Sequence, residues 1–217
     1  MSEGLRERKK RQTRERISEV AVGLFVARGF DKVTIAEVAE AAEVSVNTVY
    51  NYFACKEDLV LPPEEASVQR LADIVRQRPV GQSAAGAVLA ELRSAVRRRD
   101  RKVGLSPGFG RVLEMMRAAP TLAARLEDLG RDMTEALTLA LAEETGAKQD
   151  DLLPRVVAWQ IGSLHALVYT EVGQRAALGE SSDAISTALV NLLDTVEGLL
   201  SERVLTYATR EGNSCSG

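Results

Sequence analysis

Apolar positions recur along almost the whole chain at three- and four-residue spacing, the period of a helix face. From Arg14 to Ala27, Ile17, Val20, Ala21, Leu24 and Phe25 fall on one such face, and Gly29 stands where a helix-ending glycine belongs. "TIAEVAEAA" places Thr34 at an N-cap and Glu37 three residues on, the two halves of a capping box. That second helix is short. Val44-Ser45 breaks it, Ser45 caps a third short helix containing Val49 and Tyr50, and "CKEDL" opens a fourth with Asp58 at its N3 position.

Past Pro62-Pro63 the periods lengthen. Helices are expected near 64–78 and 83–101, with "PVGQS" between them, and a Gly- and Pro-bearing loop follows over 103–110. "GRVLEMMRAA" reads as a short helix. Pro120 starts a long one carrying Leu122, Leu126, Leu129, Met133, Leu137 and Leu141 up to Gly146, and helices over roughly 150–173 and 182–207 complete the pattern. Strand-like alternation and internal repeats do not compete with an all-α fold. The expected organisation is a basic arm (1–12), a three-helix helix-turn-helix domain (13–62), a larger helical domain (63–207) and a flexible tail (208–217).

Charge changes this picture through its placement. The net charge is only −3, yet residues 1–16 hold seven Lys/Arg against three Glu. A basic segment on an acidic body suits nucleic acid or an anionic membrane surface, or is simply solvated. With no run of about 18 apolar residues and no apolar stretch after the charged N-terminus, no membrane partner and a cytoplasmic location are expected. Cys55 and Cys215 offer no disulfide framework, and one histidine, His165, leaves no zinc cluster, so neither metal nor cofactor is expected.

The chemistry concentrates in "VSVNTVYNYF", Val44 to Phe53. Two short helices joined by Glu43-Val44-Ser45 form a helix-turn-helix candidate whose later helix lies in the DNA major groove. Ala39, Val44 and Val49 can bury between the helices, with Phe53 facing the core. Ser45, Asn47, Thr48 and Asn51 offer short donors and acceptors to base edges or phosphates, and Val46 can meet a thymine methyl. Tyr50 and Tyr52 can reach phosphate oxygens, Lys56 adds a cation, and Thr34 completes the candidate DNA-binding set.

Residues 13–62, with "AVGLFVARGFDKV" before "TIAEVAEAAEVSVNTVYNYFACKEDL", resemble the N-terminal domain of TetR-type transcriptional regulators. The resemblance implies an all-helical homodimer whose large C-terminal domain binds a small effector that alters DNA affinity, more often in repression than activation. Two positions depart from the family pattern. Glu43 stands where glycine is usual, and must find a left-handed or altered turn without glycine's freedom. Cys55 replaces a common serine or asparagine cap; at a helix N-terminus beside Lys56, its thiol pKa would fall and make it a candidate redox switch.

Beyond residue 62 periodicity alone speaks. The helix from Arg155 to Gly173 has a stripe of Val157, Ile161, Leu164, Val168 and Val172 and a second of small residues, Ala158, Gly162, Ala166 and Gly173. With Leu189, Leu192 and Val196 of the last helix, Ala158, Gly162 and Ala166 are the expected dimer interface; burial inside the monomer is the alternative. Phe109, Met115, Met116, Trp159, His165 and Tyr169 are the candidate effector contacts, with ordinary core filling as their alternative. A fourth helix over about 56–78 is expected to act as a lever between effector and DNA. Three functions follow: a ligand-responsive regulator, a ligand-independent architectural or activating DNA-binding protein, or a small helical enzyme. The enzyme is disfavoured by one histidine and no Ser/His/Asp arrangement or complete phosphate loop.

Overall fold

A computed structural model describes residues 4–60, 67–100, 103–105 and 109–211. Pro62-Pro63, Cys215 and the end of the expected tail lie outside them. The described residues form ten α-helices and one 3-10 turn, with no strand among them. They are α1 (Leu5–Arg28), α2 (Ile35–Ala41), α3 (Val46–Tyr52), the turn Glu57–Leu59, α4 (Arg70–Gln77), α5 (Ala84–Arg97), α6 (Phe109–Ala118), α7 (Pro120–Thr145), α8 (Leu153–Ala177), α9 (Ser182–Leu199) and α10 (Glu202–Leu205). The chain divides into two compact units, one of residues 1–66 and 111–126, the other of 67–110 and 127–217.

In the first unit, Ile17, Ala21 and Phe25 of α1 bury against a core that includes Val33, Val38, Val49, Phe53 and Leu59. Helix α1 begins at Leu5, nine residues before its apolar period, because basic residues of good helix propensity extend it without declaring a face. The rings of Phe25 and Phe30 meet tilted at 60°, their centroids 4.9 Å apart. The Ser18 hydroxyl donates to the Leu59 carbonyl at 2.7 Å, and Arg125 reaches Asp58 at 3.1 Å.

In the second unit, α5 packs on α4, α8 and α9, and α8 on α9. Ser83 and Ser181 cap α5 and α9 through their hydroxyls. Arg78, 3% exposed, gathers three regions: its guanidinium donates to the Val75, Gln82 and Ala208 carbonyls and to Glu144 near the end of α7. The start of the expected tail is part of this junction. Gly81 N–H donates to the Arg210 carbonyl at 2.8 Å, and Arg210 N–H to that of Gln82 at 3.0 Å.

Three helix expectations are corrected. The fourth helix expected over about 56–78 is not one rod, since only a 3-10 turn stands at Glu57–Leu59 and α4 begins at Arg70. Arg99, at φ 51°, follows the end of α5 short of residue 101. The last helix stops at Leu199, and Ser201 starts α10.

Candidate nucleic-acid interface

The geometry starts at the end of α1. Thr34 N–H donates to Glu37 Oε2 at 2.7 Å and Glu37 N–H to Thr34 Oγ1 at 3.2 Å, closing the capping box. Arg28 of α1 donates to Glu37 Oε1 at 2.6 Å, tying α2 to α1. The Thr34 amide and the Arg28 guanidinium hold the Glu37 carboxyl down at a pKa of about 2.

Helix α2 ends in a Schellman motif. Glu43 N–H donates to the Glu40 carbonyl at 3.0 Å and Val44 N–H to that of Ala39 at 2.9 Å, with Glu43 in the left-handed region at φ 54°. Glutamate thus takes the conformation that glycine adopts without steric cost. Ser45 follows at once as the N-cap of α3: its Oγ accepts from Thr48 N–H at 3.0 Å and lies 2.8 Å from the Thr48 hydroxyl.

Helix α3 turns Val49, 1% exposed, and the following Phe53 into the core. At 100° per residue, Asn47, Tyr50 and Asn51 then turn away from Val49, with Val46 beside them in the first turn of the helix, and all four are exposed. Two amides, a phenol and a branched apolar tip make a surface suited to base edges, methyl groups and phosphates. The other candidates have different surroundings. Ser45 and Thr48 are engaged with each other, Thr34 with Glu37, and Tyr52 is half-buried.

Lys56 turns inward. Its Nζ donates to the Phe30 carbonyl at 2.6 Å and lies over the Phe30 and Phe25 rings, 4.4 and 5.5 Å from their centroids. That orientation also corrects the expectation for Cys55. No α-helix starts there, and burial pushes the thiol pKa up, with Asp58 and Glu57 close by, so the site does not favour a thiolate.

Of the six effector candidates, Met115 and Met116 belong to the first unit and Phe109, Trp159, His165 and Tyr169 to the second. Met115 lines a cleft of about 450 Å³ with Phe25, Phe30 and Ala119, all in the first unit. Met116 is buried, Phe109 lies against Gly104, and Trp159 is 67% exposed. His165 and Tyr169 do meet, ring centroids 4.8 Å apart. Burial, then the charge of Arg70, lowers the His165 pKa to about 4.

For the expected dimer set, Ala158 and Leu189 have 0% exposure and belong to the protomer's own core. A side chain on Gly162 would collide with the Thr134 hydroxyl, so its smallness serves the approach of α7. Ala166 is exposed, and Leu192 and Val196 are half-buried. Sequence period missed the exposed apolar arc of α8: Leu152, Val156, Trp159 and Leu167 fall on one side.

The comparisons with known proteins meet this geometry at the reading head. Residues 17–61 match the model of bacterial regulatory proteins of the tetR family. Over these residues the chain is similar to that family. It is a helix-turn-helix transcriptional regulator by this domain, and the likeness extends past it: the chain is 28% identical over 197 residues to the HTH-type transcriptional regulator TcmR of Streptomyces glaucescens, covering 89% of this chain and 86% of TcmR. Among solved structures, SmeT, the repressor of the Stenotrophomonas maltophilia efflux pump SmeDEF, shares the fold with a TM-score of 0.51 at 19% identity, over 92% of this chain and 96% of that one. NalD of Pseudomonas aeruginosa, the secondary repressor of the MexAB-OprM pump, also gives 0.51, at 17% identity over 85% and 96%. No described helix is long and apolar enough to cross a membrane.

Proposed function

We propose that the protein is a cytoplasmic, dimeric repressor that reads a palindromic operator through α3 and releases it when a small molecule binds the second unit. The observation that carries the reading is the outward arc of α3. Val46, Asn47, Tyr50 and Asn51 are presented together by caps at both neighbouring helix ends, and a rigidly set helix tip is what major-groove readout needs.

Dimerisation is assigned to α8 and α9. Leu152, Val156, Trp159 and Leu167 leave an apolar arc on α8, and Leu199 is 79% exposed on α9; a symmetric copy covers such a face with the same face. Two α3 helices then meet half-sites about 34–36 Å apart. The effector acts by changing that separation, which requires only that it bind one of two arrangements more tightly. Equilibrium sedimentation of the full chain, alone and with selected operator duplex, tests the assembly. A dimer binding one palindrome is expected; a monomer bound to a single half-site refutes it.

A further inference from the structure

The first turns of α1 are exposed throughout: every described residue from Gly4 to Gln12 lies on the surface, and the first buried side chain is Ile17. Within Leu5–Arg16 stand seven Lys/Arg and two Glu. Glu15 approaches Arg11 at 3.8 Å. Arg6, Lys10 and Arg14 follow at four-residue steps and lead into Ile17, Ala21 and Phe25, so this cationic row continues the face by which α1 packs. Arg14 marks the junction. Its guanidinium lies over the Phe53 ring, 5.2 Å from the centroid, and Phe53 is the C-cap of α3. Arg14 Nε is shut off from solvent without a hydrogen-bond partner.

Like charges four apart oppose an isolated helix, and a polyanion lying along the row removes that repulsion. At 1.5 Å per residue, Arg6 stands about 12 Å beyond Arg14, a reach of several phosphates on a strand whose charges repeat about every 3.4 Å of axis. We propose that Arg6 and Lys10 form a second contact surface for the DNA backbone, outside the groove that α3 reads and held in line with it by Arg14. The inference rests on the DNA-reading role of α3. Since phosphates carry no base identity, this surface adds affinity and register but no sequence preference. A basic helical face also suits anionic lipid; the contact of Arg14 with the end of α3 favours the duplex.

The test uses the full chain and the Arg6→Gln/Lys10→Gln double variant, titrated by fluorescence anisotropy against a selected operator and a scrambled duplex from 50 to 200 mM KCl. The slope of log affinity against log salt should become shallower by about 1.8 per protomer, so that this salt range costs the variant about 12-fold less affinity per protomer than wild type. The ratio of operator to scrambled affinity should not change, and Arg6→Lys/Lys10→Arg should keep the wild-type slope. An unchanged slope overturns the proposal, as does a double variant that binds both duplexes like wild type but loses affinity for phosphatidylserine vesicles titrated in the same way. Wild type binding both duplexes equally would instead sink the α3 reading, and the scrambled duplex would still report the slope.

Discussion

Lys56 Nζ donates a 2.6 Å hydrogen bond to the backbone carbonyl of Phe30, binding the segment after α3 to the segment after α1. The ammonium is spent on the scaffold of the reading head, beside two aromatic faces. Lys56→Met keeps most of the stem and removes the charged donor, which should cost about 1.5 kcal/mol. Thermal unfolding checks this, and the salt slope of DNA binding should stay within error of wild type. A slope lowered by about 0.9 per protomer would instead mark Lys56 as a phosphate contact.

Glu43 occupies a left-handed position at φ 54°. Glu43→Gly removes the steric cost of its Cβ, about 1 kcal/mol, which should raise the melting temperature by about 2–4 °C. It also removes a negative charge beside the DNA-facing helix. Calorimetry should show the higher midpoint; a lower one would mean that the Schellman turn draws stability from the glutamate side chain.

Arg78 is nearly inaccessible and donates to three carbonyls besides Glu144. Arg78→Ala strands these acceptors together and should destabilise the protein by about 3 kcal/mol. Urea titration reads that as a lower midpoint. A loss below about 1 kcal/mol would show that water replaces the guanidinium freely.

His165 is neutral when folded down to a pKa of about 4, against 6.5 in an exposed imidazole. Between those values the unfolded chain binds more protons, so stability falls as pH drops from 6.5 toward 4, by about 3 kcal/mol at most. Glu37, depressed from 4.5 to about 2, loses its contribution only below pH 4.5. His165→Gln should therefore flatten the urea midpoint between pH 6.5 and 4.5, where Glu37→Gln should not change its slope. An unaltered pH profile in His165→Gln would show that this imidazole is solvated in the folded state.

The short helices around Glu43 were legible because their signals are local: Thr34 and Glu37, or Ser45 and Thr48, lie three residues apart and satisfy each other's backbone. The bond of Lys56 to Phe30 was not legible, because the two lie 26 residues apart in sequence, where no spacing rule reaches. Periodicity showed that α8 is apolar on more than one side but not which side the protomer itself covers; Ala158 went inward and Trp159 outward. For the candidate effector residues only the residue type is legible in the sequence, and type carries no information on convergence. For α1, charge hid the helix start, since Arg6 to Arg11 fit a helix or a loose arm equally well until their register with Ile17 is known.

The central claim is that the outward arc of α3 reads bases while the rest of the unit holds it in place. Its most direct measurement is binding of wild type, Asn47→Ala and Tyr50→Phe to every single-base-pair variant of the operator recovered by selection from random duplexes. The account predicts a palindromic operator, loss of about 1–3 kcal/mol of discrimination at one base pair per half-site for Asn47→Ala, and a uniform weakening across all variants for Tyr50→Phe. Selection without palindromic enrichment, or an Asn47→Ala profile parallel to that of wild type, would contradict it.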